Sequence, residues 1–130
     1  MLPRWTPLLP AMLAVLSLGS TATAQRAPNP ASRTWIVELE GQLNPRETFV
    51  FVPLPIGNGT WGLYYNVEGD HLWGFGTYIW HPTAGTIDYE NRSDDGGGGQ
   101  TGQYTWDGTK YERTRASHPE APRLSLHPAQ

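Results

Sequence analysis

The stretch TWGLYYNVEGDHLWGFGTYIW, Thr60 to Trp80, holds three of the six tryptophans and reads as one β-hairpin. Two runs of aromatic and β-branched residues flank a turn signal, Glu68-Gly69-Asp70. Side chains alternate across a strand. An odd-length loop, either Val67-Glu68-Gly69 or Glu68-Gly69-Asp70, puts Trp61, Leu63, Tyr65, Trp73 and Phe75 on one face. The other face then carries Gly62, Tyr64, Asn66, Leu72, Gly74 and Gly76. A two-residue Gly69-Asp70 turn would mix large and small residues on both faces, so the odd loop is the expectation. Glycines on a strand mark a bend or a close approach, here Tyr64 lying across Gly74 or a groove for a ligand.

Outward from the hairpin, the preceding run Glu47–Val52 (ETFVFV) is almost continuously apolar, as a strand covered on both faces is. Pro53 and Pro55 end it. Before it, Thr34–Leu39 (TWIVEL) alternates and reads as a strand, and Glu40–Arg46 reads as a turn or short loop. After the hairpin, Thr86–Glu90 (TIDYE) is a further strand. Gln103–Trp106 and Thr109–Arg113 flank Asp107-Gly108, a favoured type I′ pair that sets Tyr104 against Tyr111 and Trp106 against Thr109. No segment of this region has helical periodicity. The expectation is an all-β domain, an antiparallel meander of about seven strands closed as a small barrel or stacked as a sandwich.

The ends read differently. Residues 1–24 have the pattern of a secretory signal: Arg4, an apolar run from Leu8 to Leu18, and Ala22-Thr23-Ala24 as a cleavage site. The alternative is an uncleaved anchor, although the run is shorter than the ~20 residues of a spanning helix. Residues 25–33 (QRAPNPASR) read as a flexible leader, 34–114 as the β-domain, and 115–130, rich in proline, as a disordered tail. The chain has no cysteine, so disulfides and thiolate metal sites are excluded and packing alone must hold the domain. A net charge of −3 argues against a nucleic-acid partner, and a membrane contact is expected only if the N-terminal segment is uncleaved.

Chemistry-bearing motifs are sparse. His71 and His81 fall at opposite ends of one strand, roughly 30 Å apart at ~3.3 Å per residue, too far to share an ion. Asp88, Glu90, Asp94 and Asp95, beside the Gly96–Gly99 run, could hold calcium, but their spacing matches no calcium motif. The glycine run lacks the lysine and helix of a phosphate loop. A small metal-dependent hydrolase using Asp70, His71 and the acids of 88–95 is the alternative class. What stands out is aromatic excess. Most rings are expected in the core, and the surplus is expected to form a contact surface from Tyr64, Tyr78, Trp80 and His81, with Trp80 and then Tyr64 the most exposed. These features favour an exported, non-catalytic binding or accessory domain without cofactor, contacting an envelope protein or a glycan. With an uncleaved anchor it would be an accessory subunit of a membrane complex.

Overall fold

The computed structural model describes residues 26–93, 98–118 and 120–129. The described residues form an antiparallel up-and-down barrel of eight strands in sequence order, closed by pairing of β8 with β1. The strands are β1 (Trp35–Leu39), β2 (Gln42–Pro53), β3 (Trp61–Glu68), β4 (His71–His81), β5 (Thr86–Asn91), β6 (Thr101–Trp106), β7 (Tyr111–Ala116) and β8 (Leu124–Pro128). An eight-stranded barrel leaves an interior just wide enough for side chains. Rings fill most of it: Trp35, Phe49, Phe51, Tyr64, Tyr78, Tyr104 and Tyr111 are buried with Val37, Ile87 and Leu126.

The central hairpin forms, and its faces separate as the alternation predicts except next to the turn, where Leu72 pairs with outward Val67 instead of joining the glycine face. The turn is the two-residue Gly69-Asp70, with Glu68 opposite His71 and Gly69 at φ 61°. A bulge between Asn66 and Val67 then shifts the register, so that Tyr65 meets Phe75 and Tyr64 meets Gly76. The bulge restores the parity that an odd loop would have given.

Which face turns inward is decided by space. Gly62 opposes Tyr78, Tyr64 opposes Gly76, and Tyr89 opposes Gly102. Each glycine gives a tyrosine ring room to lie across the neighbouring strand. A Cβ on Gly76 would stand 2.7 Å from Tyr64 Cε1, and one on Gly62 would stand 2.7 Å from Tyr78 Cε1. Tyr64 also faces Phe51 and Tyr78 faces Tyr89, so each of these rings has a ring on one neighbouring strand and a glycine on the other. The glycine-bearing face is the inner one, and Trp61 and Phe75 point outward. Trp73 is the extra residue of the bulge and lines the open end of the interior. Tyr64 crosses Gly76 rather than Gly74.

Three other segments depart from the sequence reading. Glu40–Arg46 is not a loop: Glu40-Gly41 alone makes the turn, both at positive φ, and β2 begins at Gln42. Three extra residues of β2 bulge out where Ile36 faces Thr48 and Val37 faces Asn44. In the β6–β7 hairpin Trp106 faces Tyr111, so the loop has four residues, Asp107 to Lys110. Asp107 Oδ1 accepts from the amides of Thr109 (2.8 Å) and Lys110 (2.9 Å), a local turn stronger than the type I′ pair. The inward and outward faces stay as expected because the register slips by two residues.

The expected flexible segments carry the closure. Residues 124–128 of the expected tail form β8, pairing with β1 from Trp35–Pro128 to Leu39–Leu124 and with β7 at Tyr111 and Glu112. The strand is short, and Pro128 ends it where an N–H is dispensable. The leader caps one end of the barrel. Asn29 starts a 3-10 turn, Pro30–Ser32, with Pro30 buried. Trp35 Nε1 donates to Pro30 O (2.7 Å) and the Tyr111 hydroxyl donates to Pro28 O (2.7 Å). Trp35, Trp106 and Tyr111 meet edge-on beneath it, with centroids 5.1 to 6.3 Å apart. The assigned signal or anchor, residues 1–24, lies outside the described residues. Among the described residues no helix is long and apolar enough to cross a membrane.

Candidate functional site

The outer surface of the barrel has two unlike sides. On β2, β3 and β4 the outward positions are Val50, Tyr65 and Phe75 in one row, Val52, Leu63 and Thr77 in the next, then Trp61 and Ile79. None of them carries a charge. Trp61 is 46% exposed and Phe75 36%, and Val52, Ile56 and Leu72 are exposed beside them. On β5, β6 and β7 the outward positions include Asp88, Glu90, Gln103, Glu112 and Arg115. The apolar side follows from the inner face: glycines face tyrosines within, so the large residues of the same strands must stand without.

Trp73 stands at the open end of the barrel, where it lines the interior space with Tyr64, Asn66 and Arg113. Its Nε1 donates to Glu68 Oε1 (3.1 Å), while Asn44 Nδ2 donates to Glu68 Oε2 (2.9 Å). The hydrogen bonds from Asn44 and Trp73 hold the Glu68 carboxyl below its ordinary range. His71 packs edge-on against the Trp73 ring at 4.4 Å. Where the two sides meet, a groove of about 410 Å³ runs between Leu54, Ile56, Trp61 and Ile79 on one bank and Asp88 and Arg115 on the other.

The residues expected to form the contact surface are not brought together on it. Tyr64 is 4% exposed and Tyr78 1%, both inside the barrel. Trp80 is half-buried against the core, with its Nε1 enclosed. His81 alone is exposed, and its Nε2 lies 2.9 Å from Asp88 Oδ2. The signal for the exposed apolar face was present in the hairpin, where Trp61, Leu63, Tyr65 and Phe75 segregate from the glycines. What alternation cannot say is which face turns in, and the barrel bore decides that.

The acidic residues are spent on neighbours. Burial works against ionised Asp88, but hydrogen bonds from Gln103 Nε2 (2.8 Å) and His81 outweigh it and hold the carboxyl below its usual range. Arg115 stands 3.6 Å from the same group, and Glu90 pairs with Arg92 at 3.0 Å. Asp94 and Asp95 lie outside the described residues. Among the described residues no three His, Asp or Glu side chains form a group that could hold a metal. His71 and His81 stand at the two ends of β4. Asp70 and His71 are at the turn end of that strand, whereas Asp88 faces Ile79 near the other end. Comparison of the chain with protein-family profiles, with curated proteins and with solved structures finds no match in any of the three.

Proposed function

We propose that this chain is an exported, non-catalytic binding protein of the cell envelope that docks the outer face of β2–β4 onto an apolar protein surface. The observation that supports the reading is the row of uncharged outward residues on three adjacent strands, with Trp61 and Phe75 a third to a half exposed. Such a contiguous aromatic patch on a small barrel marks an interaction site. Its anatomy is that of a protein contact: a centre rich in aromatic residues and free of charge, flanked by Glu68, Asp70 and His71 at one end and Asp88, Glu90 and Arg115 along one side. A glycan would need hydrogen-bonding groups among the rings, and the rows Val50–Tyr65–Phe75 and Val52–Leu63–Thr77 offer few. A membrane-spanning barrel is disfavoured because the apolar band does not continue around β5–β7, and β5–β8 have only five or six residues each. Export rests on residues 1–24, and retention of that segment would make the same domain a membrane-tethered subunit.

A photo-crosslinking amino acid placed at Phe75, with Glu112 as the control on the charged side, tests the docking. One discrete adduct from position 75 and none from 112, seen in cells that make the protein, is the expected result. Equal adducts from both positions, none from either, or retention of the purified protein on an insoluble glycan that Trp61→Ala abolishes would overturn it. An adduct at twice the chain's mass would identify the occupant as a second copy and overturn a distinct partner.

A further inference from the structure

Opposite the leader-capped end, the barrel interior is not filled. A cavity of about 140 Å³ lies among Phe49, Tyr64, Asn66, Tyr89, Tyr104 and Arg113. Its walls are ring faces: Phe49 and Tyr64 stack at 5.6 Å, and Tyr89 and Tyr104 lie 5.3 Å apart. Its polar groups keep hydrogen-bonding capacity to spare. Arg113, inward on β7 opposite Tyr104, donates to Pro122 O and at 3.4 Å to the Tyr89 hydroxyl. Among the described residues no carboxylate lies within ion-pair distance of its guanidinium. Neither the Tyr64 nor the Tyr104 hydroxyl has a hydrogen-bond partner among the described residues. The Asn66 Oδ1 is buried without one.

Arg113 is part-buried at the mouth of this space and is the one charged side chain among the residues that line it. Burial keeps the Tyr64 and Tyr104 phenols well above their ordinary range, so both stay protonated and can donate. One cation beside two phenol donors favours an anion over a neutral guest. The guanidinium fork matches a planar carboxylate. The ring walls suit a short apolar body, and a cavity of about 150 Å³ holds a molecule the size of benzene. The geometry points to a binding site for a small monocarboxylate of about six heavy atoms, with its carboxylate on Arg113 and the Tyr64 and Tyr104 hydroxyls and its carbon chain against Phe49. This site is separate from the outer face and stands whether or not that face docks a protein.

Calorimetric titration of the full chain with butyrate, n-butanol and inorganic phosphate tests it. Butyrate binds, and butanol, of the same size but uncharged, binds about tenfold or more weaker. Arg113→Gln weakens butyrate by about tenfold or more and Tyr104→Phe by about threefold, with Glu112→Gln unchanged. If Arg113→Gln does not fold, nuclear Overhauser contacts from the butyrate chain to the Tyr64 and Tyr104 rings in the unmodified chain decide the matter. Their absence overturns the site. So do butanol or phosphate binding as tightly as butyrate, no butyrate binding at all, or folded variants that bind it undiminished.

Discussion

The two ends of this barrel are built to opposite rules. At one end the leader lies over Trp35, Trp106 and Tyr111, and the two polar atoms it encloses are satisfied by Pro30 O and Pro28 O. At the other end Arg113 and two phenols face unfilled space, and Asn66 Oδ1 is left without a partner. Filled space with satisfied polar groups stabilises; vacant space lined by unsatisfied ones costs stability and persists where it serves binding. The capped end should therefore hold the fold together, and the open end should weaken it.

The largest effect is expected from Trp35→Ala, which empties the middle of the ring cluster under the leader. It should cost about 4 kcal/mol, read as a lower midpoint in denaturant. A loss under about 1 kcal/mol would mean the cap is ornamental. Deleting residues 26–31 should cost about 3 kcal/mol, because it leaves the Trp35 and Tyr111 donors without acceptors and exposes their rings.

Alkali comes next. Burial raises the Tyr111 hydroxyl to about 12. A raised folded value favours the protonated form, so this stability is complete below the unfolded value of about 10 and falls as pH rises through the folded one. About 2 kcal/mol should be gone by pH 12. Melting followed from pH 9 to 12 should show the fall, and Tyr111→Phe should flatten its share of it. The smallest effect has the opposite sign. Asn66→Val removes a buried unsatisfied acceptor at the open end and should stabilise by about 1 kcal/mol. A destabilisation of similar size would show that the amide is serving the fold.

Seven strands, their order and the inner or outer parity of the β6–β7 hairpin were legible in local pattern alone, because alternation and proline stops act over a few residues. The eighth strand was not. Leu124–Pro128 offers two inward residues, Ser125's neighbours Leu124 and Leu126, and both its partners are remote in sequence. Nothing local distinguishes such a segment from a tail. The leader was misread for the same reason: its structure comes from what it covers. The site fared similarly. The hairpin's two faces could be read, but their direction depends on the barrel bore, which exists only once all strands are paired. Arg113 drew no notice, since a lone arginine on a short strand is ordinary until the register sets it opposite Tyr104.

The seam between β1 and β8 joins Trp35 to Pro128. A ribosome must therefore have reached Pro128 before the first strand can find its second neighbour. Until then β1 has one free edge, and the tyrosines have a trough in place of a tube. Closure is a long-range event, which slows folding relative to local pairing. A polypeptide of this topology is kept open by its own order of synthesis until β8 has been made.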